Sequence, residues 1–137
     1  MRVLVCGGRT YGVPMYPPNA DAEQRQTART IAYREVERLR AALDKLDDEG
    51  DGIDCIIHGA ANGADRHASD WAGDHAIANE PYEADWENQG TFAGPARNKR
   101  MLQEGRPDLV VAFPGGKGTR NMIELARKAG VEVVEIA

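Results

Sequence analysis

LVVAFPGGKGT, residues 109–119, runs from a short apolar stretch straight into a Pro-Gly-Gly break, and helical spacing resumes at Thr119. An apolar run of strand length that ends in glycine and passes into a helix reads as a strand covered on both faces in a parallel sheet. The same grammar recurs upstream. Residues 3–6, VLVC, stop at Gly7 and Gly8, and residues 53–57, IDCII, pass into HGAANGAD. A long helix is predicted over about 21–49, where Ala28, Ile31 or Ala32, Val36, Leu39, Leu43 and Leu46 recur at three- or four-residue spacing before Gly50 and Gly52. Further helices are predicted over 64–78, 96–104 and 119–129, a weak strand over 82–84 opened by Pro81, and a fifth strand over 131–136. The alternation predicts an α/β fold, three layers α/β/α around a five-stranded parallel sheet with right-handed crossovers. Glu132, Glu135 and Pro81 suit edge strands and the uninterrupted apolar runs suit central ones, which favours the order 3-2-1-4-5.

At 137 residues the chain is expected to form one domain over 1–137, long enough to bury a core without disulfide or metal. The balance of 42% hydrophobic and 28% charged residues excludes disordered and fibrous classes. A net charge of −5 argues against a general nucleic-acid backbone binder, so no nucleic-acid partner is expected. No apolar stretch reaches the ~18–20 residues of a membrane span, and Met1 leads directly into a strand, so a cytoplasmic location without membrane partner is expected. Cys6 and Cys55 lie in apolar runs and read as reduced core thiols. The Pro-rich insertion at 10–20, TYGVPMYPPNA, is long for a βα turn and reads as a lid, an oligomer contact or a plain surface loop.

In a parallel sheet of this order, ligands settle where the connections from neighbouring strands diverge, here between strands one and four. Gly7, Gly8 and Arg9 after strand one, and Pro114, Gly115, Gly116, Lys117, Gly118 and Thr119 after strand four, fall at that point. Each glycine pair alone reads equally as a tight turn; two such loops at one crevice read as a phosphate cradle of backbone amides at a helix N-terminus. Neither a Walker A loop, GxGxxG, HExxH, GxSxG nor a Cys/His metal spacing is present, so no metal and no resident cofactor are expected. Gly59 and Gly63 permit a compact turn before Asp65, which either caps the second helix or accepts hydrogen bonds from a sugar or base. Trp86 either stacks on a nucleobase or packs in its loop, whereas Trp71 shares a helix face with Ala68, Ala72 and His75 and reads as core. Arg97, Asn98, Lys99 and Arg100 form either a solvated basic face or, through Arg97, a bidentate phosphate contact.

CGGR at 6–9, HGAANGAD at 58–65, ADW at 84–86, GPARN at 94–98 and FPGGKGT at 113–119, in this order, resemble the YspA-type SLOG domain, a relative of the LOG-type phosphoribohydrolases once labelled lysine decarboxylases. The resemblance implies a Rossmann-like domain, found in bacteria and phages, that binds a nucleotide or nucleotide-derived ligand as a sensor or sequestering module, commonly as a homodimer. LOG-type enzymes hydrolyse the N-glycosidic bond of nucleoside monophosphates. Their pattern implies a catalytic pair in Arg97, four residues before Met101, and a glutamate after PGGxGT. This chain has Met122 at that glutamate position, and Glu124 lies roughly 200° around the helix from it. An enzyme reading therefore rests on Asp65 or Asp85 as a replacement carboxylate beside Arg97. Arg9 and Lys117 are the secondary phosphate candidates, and Thr119 a hydroxyl donor.

Overall fold

The computed structural model describes residues 1–137 and contains the five-stranded parallel sheet in the order β3-β2-β1-β4-β5. The strands are β1 (Arg2–Cys6), β2 (Cys55–His58), β3 (Ala78–Pro81), β4 (Leu109–Ala112) and β5 (Glu132–Glu135). The helices are α1 (Ala22–Asp48), α2 (Ala64–Asp74), α3 (Trp86–Gln89), α4 (Ala93–Gly105) and α5 (Lys117–Lys128), with a 3-10 turn at Gly90–Phe92 between α3 and α4. Side-chain alternation divides the central strands between two apolar layers. Val3, Val5, Ile56 and Val111 face Leu39 and Leu43 of α1 and Trp71 of α2; Leu4, Cys6, Ile57 and Val110 face Met101 of α4 and Met122 and Ala126 of α5. This is the Rossmann-like arrangement, and it places α1 and α5 on opposite faces as they leave the neighbouring strands β1 and β4.

α1 begins where a capping box forms: the Asp21 carboxylate accepts from the Gln24 N–H at 2.8 Å, and the Gln24 side chain accepts from the Asp21 N–H at 2.9 Å. Of the two readings of its apolar stripe, Ala32 is the buried position, and Ile31 is 53% exposed. Both cysteines are buried and unpaired. Trp71 is fully buried, with its indole N–H donating to Asp44 at 2.8 Å.

The third strand corrects the sequence reading. α2 stops at Asp74, because Ala76 takes a positive φ and the Ile77 N–H turns back to the Ala72 carbonyl. The strand is Ala78–Pro81, paired with Cys55–His58, four residues earlier than expected. Pro81 closes it rather than opening it. An edge strand with one exposed side needs no apolar run and tolerates proline, so ANEP carried no periodic signal. The insertion at 10–20 is anchored at its start: Tyr11 is buried against Phe113, the Gly12 N–H donates to Glu35, and the Gly12 carbonyl pairs with the His67 ring. It lies over α1 and α2 and borders neither cavity of the sheet rim. No helix is long and apolar enough to cross a membrane.

Candidate functional site

A cavity of about 560 Å³ opens at the C-terminal rim between β1 and β4, at the predicted crevice. Its floor is the end of β1, and its sides are the two glycine loops, α4 and Trp86. Gly7, Gly8, Arg9, Asp65, Trp86, Arg97, Asn98, Gly116, Lys117, Gly118 and Thr119 all line it. Asp85, the other carboxylate candidate, borders neither this cavity nor its neighbour; it is exposed and caps α3 by accepting from the Asn88 N–H. Three further residues stand behind the cavity wall. Pro114 accepts the Gly8 N–H on its carbonyl at 2.9 Å, Gly115 is wedged against Gly8 and Thr119, and Gly59 borders an adjoining cavity.

The glycines fall into two classes. A Cβ on Gly7 would lie 2.6 Å from the Ala64 Cβ, one on Gly8 3.0 Å from the Pro114 carbonyl, and one on Gly115 2.7 Å from the Gly8 nitrogen. These positions are glycine because the first loop, the start of α2 and the loop after β4 cross at backbone contact. Gly116 and Gly118 are different. Neither has a positive φ, a Cβ on either meets nothing within 4 Å, and both face the cavity. They open the first turn of α5, whose N-cap Gly116 provides no side-chain acceptor. The first amides of that turn therefore point outward without an intrahelical partner.

Opposite this turn stands Arg97. Its Nε donates to the Asn98 Oδ1 at 3.0 Å and its Nη1 to the Gly59 carbonyl at 2.6 Å, while Nη2 has no protein acceptor. Burial and the positive charge of Arg9 and Arg100 lower its pKa, against the opposing pull of Asp65, yet an arginine stays charged. Asn98, 3% exposed, donates its amide to the Gly118 carbonyl at 3.2 Å and to the Asn121 Oδ1 at 2.9 Å. It acts as a strut between the guanidinium and the α5 loop. The RNKR run is thus not one basic face: helical period turns Arg97 and Asn98 inward and leaves Lys99 and Arg100 exposed, with Arg100 lying over Tyr82.

Asp65 corrects the capping expectation. The N-cap of α2 is Gly63; the Asp65 carboxylate reaches back and accepts the Gly59 N–H at 3.1 Å and the Ala61 N–H at 3.3 Å on one oxygen. At 7% exposure, burial raises its pKa to about 6, against the lowering by the Ala61 amide and by Arg97. The unfolded chain loses this proton near pH 4. Between those values the folded state holds the proton more tightly, so this group's stabilisation is complete below about pH 4 and lost as pH rises through about 6. Burial shifts the neighbouring His58 downward, so its contribution has the opposite sign and is lost as pH falls below the ordinary histidine range. His58 Nδ1 accepts the Ala60 N–H at 3.0 Å, holding the turn, and its Nε2 pairs with Asn79 at 2.9 Å. The difference in unfolding free energy between Asp65→Asn and the parent isolates the carboxylate. It is expected to move in the variant's favour by about 2–3 kcal/mol between pH 4 and pH 7 in urea titrations. A flat difference removes the raised carboxyl.

Trp86 is 48% exposed, with Arg9 over its ring at 5.1 Å from the centroid and its edge against Gly94. Stacking a base on the face that Arg9 covers requires Arg9 to swing away. Asn121, which the sequence did not single out, also lines the cavity, with Cys6 and Met101. Asn121 was recoverable, one helical turn from Gly118. Cys6 reads as a core thiol, and burial pushes it up to about 12, leaving it protonated. Met122 is wholly buried in the layer beneath α5, and Glu124 is exposed, so no carboxylate replaces the missing glutamate from that helix.

Residues 1–89 match the model of the YspA, cpYpsA-related SLOG family. The chain belongs to that family. This SLOG chain is also similar to the Gene 61 protein of Mycobacterium phage D29, 40% identical over 86 residues that cover 58% of this chain and 68% of that protein. No solved structure matches it. The family match includes Gly7, Gly8, Arg9, the 58–65 turn and Trp86, and stops before Arg97 and the 114–119 loop, so the roles of those two elements in this SLOG chain rest on geometry.

Proposed function

We propose that the chain binds a nucleotide or nucleotide-derived ligand, as a sensor or a sequestering module, with a phosphate held between the first turn of α5 and the Arg97 guanidinium. The observation that carries this reading is the pair Gly116 and Gly118: glycines on which a Cβ would meet nothing within 4 Å, bordering the cavity, on a helix start with unpartnered amides. Glycine inside a helix is less favourable than alanine by about 1 kcal/mol, so a bare helix start makes sense where an anion must approach the backbone. The free Nη2 of Arg97 supplies the charge that amides lack. Asp65, buried with its pKa raised and bordering the same cavity, is the candidate contact to a sugar or base, and Trp86 and Arg9 are the movable wall.

Calorimetric titration with the four ribonucleoside 5′-monophosphates tests the reading. Gly118→Val places a branched side chain in open space on the first turn of α5 and is expected to abolish binding while the melting temperature changes by no more than about 3 °C, the effect of under ~1 kcal/mol. Parent-like affinity in this variant sinks the cradle.

Asp65 also supports a second reading, hydrolysis of the N-glycosidic bond, since a carboxyl near neutrality shares the cavity with Arg97. Water would add to the ribosyl carbon and the base would leave. Chromatographic release of free base that is lost in Asp65→Ala supports it; absence of release from every monophosphate leaves the binding module.

A further inference from the structure

A second cavity, of about 320 Å³, adjoins the first. The two share Arg9, Ala61, Trp86 and Arg97, so both arginines stand on the common wall. Beyond that wall the chemistry changes. The main chamber sets Cys6, Pro95 and Met101 beside the amide cradle, whereas the second is bounded by the 59–62 turn, Glu83 and Ala84. Asn62 and Glu83 are exposed there, and Glu83 uses only its backbone oxygen, on Arg100. The partition itself is slight. It consists of Arg9 lying over the Trp86 ring, an exposed contact of the kind that contributes ~0.5–1 kcal/mol and that a phosphate can displace.

We infer that the ligand is a nucleotide whose phosphates are substituted at both ends, a nucleoside diphosphate ester carrying a second, hydroxyl-rich group. This deepens the nucleotide reading and rests on it. The nucleoside occupies the main chamber, one phosphate meets the α5 turn and Arg97, and the next lies at Arg9 on the common wall. The distal group enters the second chamber, where the Glu83 carboxylate accepts hydroxyl hydrogen bonds and the Asn62 amide donates. A terminal free phosphate fits this chamber less well than a neutral sugar, because it would meet Glu83 with like charge. Both chambers are within the ordinary scale of small-molecule sites.

The test is calorimetry of the full chain with AMP, ADP and ADP-glucose, and with the corresponding uridine (UDP-glucose) and guanosine (GDP-mannose) series. For the base that binds, the diphosphohexose is expected to bind at least about tenfold more tightly than the monophosphate. Ala84→Trp, at a position that borders the second chamber and not the first, is expected to erase that advantage and leave monophosphate affinity unchanged. Should Ala84→Trp fail to fold, Glu83→Gln decides: it is expected to narrow the preference for diphosphohexose over free diphosphate. Monophosphate binding as tight as diphosphohexose binding, or a preference indifferent to both substitutions, overturns this proposal and leaves the nucleotide reading standing. Absence of binding by every compound overturns both.

Discussion

Arg97→Ala is expected to lower nucleotide affinity by about 100-fold or more, close to loss of detectable binding by calorimetry. A charge-assisted hydrogen bond contributes roughly 1.5–3 kcal/mol, equivalent to about 10- to 150-fold in affinity, and the guanidinium fork can offer two. A second loss compounds the first. Arg97 Nη1 holds the Gly59 carbonyl, and the Gly59 N–H donates to Asp65, so removing the guanidinium also loosens the turn that carries the Asp65 carboxylate. Lysine keeps the charge without the fork, so Arg97→Lys is expected to recover only part of the affinity. Lys99→Ala, two residues along and exposed, is the matched control and should bind as the parent does. Affinity for Arg97→Ala within about threefold of the parent, a difference of under ~1 kcal/mol, would show that the anion lies elsewhere.

The largest effect on stability is expected at Gly63. Its φ is +78°, and a Cβ there would clash with the Gly8 carbonyl oxygen and lie 2.6 Å from both the carbonyl carbon and oxygen of Arg9. All three atoms are backbone, so no side chain can rotate aside. The left-handed conformation alone costs an alanine roughly 1–2 kcal/mol, and the start of α2 must also move away from the first loop. Gly63→Ala is therefore expected to destabilise by about 3–4 kcal/mol and to lower the thermal midpoint by roughly 10–15 °C. Gly73 in the same helix meets nothing within 4 Å, and Gly73→Ala is expected to raise stability by about 0.5–1 kcal/mol. If the two alanine variants melt together, the contact between α2 and the first loop is not as tight as described. Because the Ala64 N–H donates to the Gly8 carbonyl, the displaced α2 also moves the Gly7–Gly8 turn, so Gly63→Ala should weaken nucleotide binding as well.

These two residues show where the sequence was informative. Arg97 could be singled out because a basic residue in a run after Pro95 is visible in any reading, but its partner could not: the guanidinium is anchored on the Gly59 carbonyl, 38 residues away. Gly63 was read as part of a compact turn, and nothing in HGAANGAD reveals that the required space belongs to Gly8 and Arg9, more than fifty residues earlier. Asp65 failed as a cap for the same reason. Its place in the first turn of α2 resembles that of an N-terminal acceptor, yet the amides that reach it come from the preceding turn. β3 was displaced because an exposed edge strand has no hydrophobic requirement to leave a pattern.

The amino-acid sequence by itself determined the parallel sheet and the order of its strands. Burial on both faces demands unbroken apolar runs in β1, β2 and β4, while edges admit Pro81, Glu132 and Glu135, and these demands act on each segment separately. It also placed both glycine loops at one crevice, since that follows from strand order. Only the tertiary structure decided which glycines are packing and which are bare surface. It alone divided the rim into two chambers behind Arg9 and Trp86, and set the Asp65 carboxyl near neutrality. Steric clearance, cavity walls and desolvation are properties of atoms distant in the chain, and no local pattern encodes them.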